Sequence, residues 1–380
     1  MNVLTHPARL ASVGLAAALL VAVPTAASAH EPGHPEPGSA GLVFVQTAEA
    51  AGNTVVEYRR TESGGLSRLA AYPTGGAGGT LNGAVADQLA SQGSLTYDPA
   101  SRLLYAVNSG SDTVTVFALQ GDRLVRRDVV PSGGSFPVSV AVHGGLVYVL
   151  NARGGGSLQG FVEAGGRLVA VPWWHRDLGF DPAATPEFVS TPAEVAFAPD
   201  GRRLVVSTKA DGNSVLVYQV GWFGPSATPV VSTDVGAVPF GFVFDRAGDL
   251  VLTEAGAGTV STYRILPDGA LRHLDSAVTG GQAVCWVTGA NGVFYVSNTG
   301  SGTLSSYTEG ARGELTKRGD VTTGAGPVDS AVSADGRYLY VETGVAAGVD
   351  VFRIGPRGAL TRTASVPVAG LAGGQGIVAL

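Results

Sequence analysis

Cut just before each short apolar run that leads into a turn, the sequence falls into blocks. They begin at Ser94, Val138, Ala193, Gly241, Cys285 and Asp329, with a final partial block at Gly376. The spacings are 44, 55, 48, 44, 44 and 47 residues, the period of propeller blades and not of helical repeats near ~34. One block shows the unit: GFVFD (241–245) reads as a strand, and strands follow at 250–253, 259–265 and 271–277, separated by turns rich in Gly, Asp and Pro. Such a pattern is an antiparallel meander of four short strands. The same order recurs from 331 to 366.

Counting blocks then fixes the architecture. Six begin between Ser94 and Asp329, and residues 42–72 supply strands two to four of one more blade. Its missing first strand is the C-terminal GIVAL, 376–380. Pairing the two chain ends closes the ring and leaves no dangling edge. The fold class predicted is all-β: a seven-bladed β-propeller of four-stranded antiparallel blades over residues 42–380. The 56 glycines fit this reading, because tight turns need the positive φ that glycine adopts without steric cost. Only residues 81–92 read as a helix. The 55-residue spacing places extra sequence around PWWHRDLGFDPAATP (172–186), expected to overhang the mouth of the central channel as a lid.

Outside the repeat, Arg9 is followed by an apolar run from Leu10 to Val23 and by Ala27-Ser28-Ala29. This is the pattern of a secretory signal peptide over 1–29, giving a secreted or extracytoplasmic protein whose mature chain starts at His30. Residues 30–41, HEPGHPEPGS and its continuation, read as a disordered tail. No later stretch approaches the ~18 apolar residues of a spanning helix, so no transmembrane segment is expected in the mature chain. A net charge of -6 argues against a nucleic-acid surface. The single cysteine, Cys285, excludes an intrachain disulfide.

Propeller topology predicts a polar ring at the mouth, where each first strand opens and each second strand ends. The openers are Ser94, Ser139, Glu194, Gly241, Cys285, Asp329 and Gly376. The second-strand ends are Gln46, Asn108, Asn151, Lys209, Glu254, Asn298 and Glu342, with Arg153 just beyond Asn151. Crowded carboxylates raise one another's pKa and can act as general acid or base, which makes Glu194, Asp329 and Glu254 the candidate catalytic residues. Asn108, Asn151, Arg153, Lys209, Asn298 and Glu342 are candidate ligand contacts; pairing of Glu194 with Lys209 is the structural alternative. Trp173, Trp174 and His175 are further candidates, stacking on a small-molecule or carbohydrate ligand or else plugging the gap between two blades. No histidine spacing suits a metal site, His30 and His34 excepted as copper ligands in a flexible tail. No cofactor is required, although Asp329 with Glu342 or Glu194 offers oxygen ligands for Ca²⁺. Cys285 has no sequence-adjacent histidine and reads as an inert buried thiol.

FAPDGRRLVVSTKADGNSVLVYQV, ADGRYLYVETGVAAGVDVFRI, GALTRT and the terminal GGQGIVAL resemble the seven-bladed β-propeller lactonase family, which includes 6-phosphogluconolactonase-type hydrolases and carboxymuconate cyclases. YAVNSGSDTVTVF (105–117) is similar to the YVTN repeats of surface-layer propellers. The resemblance runs from about Leu42 to Leu380. It implies reactive residues in Pro-His-Ser, Pro-Arg-His and Asn-Glu segments and a later arginine. Here those positions hold Pro137-Val138-Ser139, Pro192-Ala193-Glu194, Thr208-Lys209-Ala210 and the neighbourhood of Ala255. The expectation is therefore an exported, catalytically diverged, monomeric propeller that binds a ligand or partner. Its alternatives are an extracytoplasmic lactone hydrolase with a rearranged carboxylate site and a structural surface module.

Overall fold

The computed structural model describes residues 41–233 and 235–380. The expected signal peptide, His30, His34 and all of the expected tail except Gly41 lie outside the described residues. Seven antiparallel sheets follow one another along the chain. Blade 1 combines Leu42–Gln46, Thr54–Arg60 and Leu66–Pro73 with Ile377–Ala379 as its innermost strand. Val43, Phe44 and Val45 pair with Ala379, Val378 and Ile377, and Gly41 N–H donates to the Leu380 carbonyl. The predicted closure of the ring by the two chain ends is thus present. The innermost strands of blades 2 to 7 are Leu95–Asp98, Ser135–His143, Glu194–Phe197, Pro239–Phe244, Val284–Ala290 and Pro327–Val332.

Each third strand carries one aromatic residue into the space between blades. These are Tyr58, Phe117, Phe161, Tyr218, Tyr263, Tyr307 and Phe352, none more than 3 % exposed. In five blades the register against the fourth strand shifts immediately before that ring, as between Thr262 and Tyr263. A bulge re-aims the side chain and adds twist, which a blade packed against two neighbours needs.

Two segments depart from the reading above. Residues 81–92 form turns and bends, with no helix. The carbonyls at their end bond to distant side chains instead of to the next turn: Ala90 O accepts from Lys209 Nζ at 2.7 Å and Ser91 O from Trp286 Nε1 at 2.7 Å. The insertion after residue 171 does two things. Pro172–Trp174 is a 3₁₀ turn interrupting the outermost strand of blade 3, which resumes at Arg176–Asp177. Only the sequence after Leu178 crosses toward the channel mouth, ending in the one-turn helix Glu187–Ser190. No described helix is long and apolar enough to cross a membrane.

Candidate functional site

An innermost strand has one hydrogen-bonding edge with no sheet partner, and that edge faces the channel. In this chain the connection from blade 1 to blade 2 supplies the missing partners. Gln92 Nε2 donates to Phe242 O (3.1 Å) and approaches Glu194 Oε1 (3.4 Å), while Gln92 Oε1 accepts from Val287 N–H (3.0 Å). Ser91 Oγ donates to Val138 O (2.9 Å), and Gln375 Nε2 donates to Ser91 O (2.7 Å). Residues 90–92 therefore join blades 1, 3, 4, 5 and 6 and plug the upper channel. Gly241 has a local reason: a Cβ there would stand 2.4 Å from Gln92 Oε1 and 2.8 Å from Cys285 O. Buried polar groups without partners are costly, about 1–3 kcal/mol each, so the plug is part of the structural core.

Three of the four predicted carboxylates sit around this plug. Glu194, 6 % exposed, accepts at Oε2 from Phe242 N–H (2.7 Å). Asp329 Oδ1 accepts from Ser330 N–H (2.9 Å). Glu342 is fully buried; its Oε2 accepts from Gly376 N–H (2.8 Å), and its Oε1 has no hydrogen-bond partner. Burial raises all three, Asp329 to about 7 and the two glutamates well above the carboxylate range, and the Asp329 charge adds to the rise at both glutamates. Lys209 does not pair with Glu194. Its ammonium donates to Ala90 O, Phe188 O (2.5 Å) and Thr191 Oγ1 (3.0 Å), holding the plug and the blade 3 insertion together. Burial lowers Lys209 and raises Asp87, while their mutual attraction opposes both shifts. The Cys285 thiol is likewise raised by burial.

The remaining candidates are used inside blades, which corrects the expectation that second-strand ends face the mouth. Asn108 Nδ2 donates to Thr113 Oγ1 and Thr115 Oγ1, and Asn298 Nδ2 to Thr303 Oγ1 and Ser305 Oγ. Asn151 Nδ2 reaches Ser157 Oγ and Ser132 O. Glu254 accepts from Thr259, Ser261, Tyr263 and the Gly236 amide, so both its oxygens are occupied. All four side chains lock the turn between second and third strands. Side chains alternate along a strand, so a residue one step earlier points the other way. That is the case of Glu342, because in blade 7 Thr343 is the last pair of the second strand. Arg153 forms a two-pronged pair with Glu187 (2.7 and 3.2 Å), whose Oε2 also accepts from Asn82 N–H (2.7 Å); this clamps the insertion over the plug. Trp174 is buried and stacks on Tyr148 at 6.0 Å, filling the space between blades 3 and 4, whereas Trp173 is exposed and His175 contacts Asp177. Both tryptophans lie on the outer strand, away from the mouth.

Sequence reasoning missed Gln92, Ser91 and Gln375. The signal available was a stretch of about 20 residues between blades 1 and 2 ending in apolar and amide residues. Beside the plug, along the inner strands of blades 2, 3 and 4, is a cavity of about 270 Å³ lined by Thr96, Val140, Val142, His143, Glu194 and Phe197. A second groove, about 430 Å³, lies between blades 6 and 7 on the outside and includes none of the predicted residues. Among the described residues no group of three or more His, Cys, Asp or Glu side chains could hold a metal ion.

A family model described as lactonase, 7-bladed beta-propeller, matches residues 179–288 and 253–373. Among solved structures, the Pseudomonas aeruginosa periplasmic gluconolactonase PpgL is 21 % identical, with a TM-score of 0.70 over 89 % of this chain and 98 % of that one. A provisionally assigned 6-phosphogluconolactonase of Bacteroides fragilis is 18 % identical, with a TM-score of 0.70 over 88 % and 97 %. A Lactobacillus plantarum protein is 20 % identical, with a TM-score of 0.68 over 88 % and 98 %. At these identities the likeness is one of fold. No curated protein sequence matches the chain.

Proposed function

The chain belongs to the seven-bladed β-propeller lactonase family, and from that premise we propose that it is an exported, catalytically diverged member that binds a ligand or partner and does not open lactones. The plug carries this reading. Residues 90–92 occupy the mouth, Lys209 is committed to holding them, and Glu194, Asp329 and Glu342 are nearly or wholly buried. The substitutions at Val138, Ala193, Glu194 and Lys209 support it, since the family resemblance places reactive residues there. Export is supported by the pattern of residues 1–29 and by the likeness of fold to PpgL, a periplasmic protein. The closed ring leaves no long free edge that would demand a second copy, so the proposed state is a monomer. The proposed ligand site is the 270 Å³ cavity beside the plug, along the inner strands of blades 2 to 4, with Glu194 its most buried polar wall.

A second reading, lactone hydrolysis by a rearranged acid cluster, is favoured by one observation: Asp329 is raised to about 7, where a carboxyl can both give and take a proton. Proton release in a pH-stat, with unphosphorylated and phosphorylated lactones, separates the two. The diverged reading expects no release above the uncatalysed rate from folded protein. Turnover that disappears in a Glu194→Gln, Asp329→Asn double variant would install the hydrolase reading in its place.

A further inference from the structure

The third and fourth strands of blade 4 meet at a two-residue turn, Trp222-Phe223, whose side chains are 99 % and 86 % exposed. Exposing two large rings side by side is unfavourable in water unless something covers them. The turn is also held firmly. Gly224, at φ +94°, lies over the indole of Trp174, and a Cβ there would stand 2.1 Å from Trp174 Cδ1. Arg176 donates to Ser226 O (2.9 Å), to Pro225 O and to Trp173 O (2.9 Å). One half-buried arginine thereby fixes the hairpin and the turn carrying Trp173, itself 67 % exposed. Val169 and Val231, on the outer strands of the same two blades, are 56 % and 53 % exposed.

Charge points to the occupant. No charged residue occurs from Ser214 to Thr233, although the whole chain carries a net -6. At the base of the hairpin stand Arg176, whose contacts are to carbonyls, and exposed Arg202, whose carbonyl accepts from Val220 N–H. Arg203 is neutralised by Asp200. Asp268, on the blade 5 turn whose Gly269 lies against Gln219, is the acidic residue on the neighbouring hairpin. An uncharged aromatic tip with exposed Arg202 set behind it, on an otherwise acidic body, complements the interfacial layer of a bilayer: rings enter the headgroup region and the Arg202 guanidinium meets anionic lipid. The tip is convex, so it suits a fluid layer that closes around it. We propose that Trp222 and Phe223 dock this face of the ring onto a membrane surface bearing anionic lipids.

The test is co-sedimentation of the expected mature chain, residues 30–380, with phosphatidylcholine vesicles containing one quarter phosphatidylglycerol, beside pure phosphatidylcholine. Quenching of Trp222 by acyl-brominated lipid is read as the difference between parent and Trp222→Phe. The expected result is quenching in the parent, a fall in binding of about tenfold in Trp222→Ser, Phe223→Ser, and loss of the phosphatidylglycerol preference in Arg202→Glu. The double variant removes only exposed rings, so its thermal unfolding should match the parent and a binding loss cannot be ascribed to misfolding. Equal binding by parent and double variant, or absence of Trp222 quenching, overturns the proposal. So does self-association of the parent that the double variant lacks, which would give the tip to a second copy of this chain.

Discussion

Asp329 is held at about 7 against an ordinary 3.8 by burial beneath the plug, and the consequence for stability has a definite sign. Between pH ~4 and ~7 the native state binds a proton that the unfolded state has released, so stability falls as pH rises through that window. Glu194 and Glu342, likewise raised by burial, contribute to the decline in the same direction. Lys209 is lowered below 10.5 by burial, and above its native pKa the unfolded state binds the extra proton, so stability recovers on the alkaline side. A stability trough near neutral pH is expected in denaturant titrations from pH 4 to 9. Asp329→Asn should flatten the acid-side decline and gain on the order of 1–4 kcal/mol at pH 7 relative to the parent; parallel curves for parent and variant would refute the assignment. That acidic residues cluster near one end of the channel was legible from the openers of the repeat. Which of them share the channel was not: Glu254 and Glu342 both close second strands in the sequence, yet one strand's last pair falls a residue later, and alternation sends their side chains in opposite directions.

Elements built on the repeat were readable because each needs only local chemistry. The strands predicted at 241–245, 250–253, 259–265 and 271–277 are present at Pro239–Phe244, Leu250–Glu254, Thr259–Ile265 and Leu271–Val278. The segment 81–92 was misread as a helix because, a few short turn bonds aside, its hydrogen-bond partners are 47 to 285 residues away along the chain, where no local pattern reports them. Its role can be tested at Gln92, which satisfies Phe242 O and Val287 N–H across two blades. Gln92→Ala should lower stability by roughly 2–4 kcal/mol, the cost of leaving these buried groups unpaired. Urea unfolding measures it, and a loss below about 0.5 kcal/mol would mean the plug is an accessory and the mouth can open. The blade 3 insertion was legible as extra sequence, but its division between an outer-strand turn and an inner clamp was decided by Trp174 finding Tyr148 and Arg153 finding Glu187.

For the whole ring the controlling contact is the strand Ile377–Ala379 against Leu42–Gln46. Removing residues 377–380 deletes the innermost strand of blade 1 and exposes edges on both sides of the opening. Such a chain should lose its single cooperative thermal transition and enlarge in size-exclusion chromatography; a truncated protein that melts as one unit at the parent temperature would show that closure is dispensable. The number of blades, their strand order and the joining of the chain ends were written in the spacing of the repeat, because a meander of four strands is specified by turns and apolar runs within about 45 residues. The fate of the channel was not. It depends on a connection of ordinary composition entering the ring and meeting the inner-strand edges of blades 3, 5 and 6 together with groups at the ends of blades 1 and 4, and contacts of that kind arise only when the whole ring has closed around them.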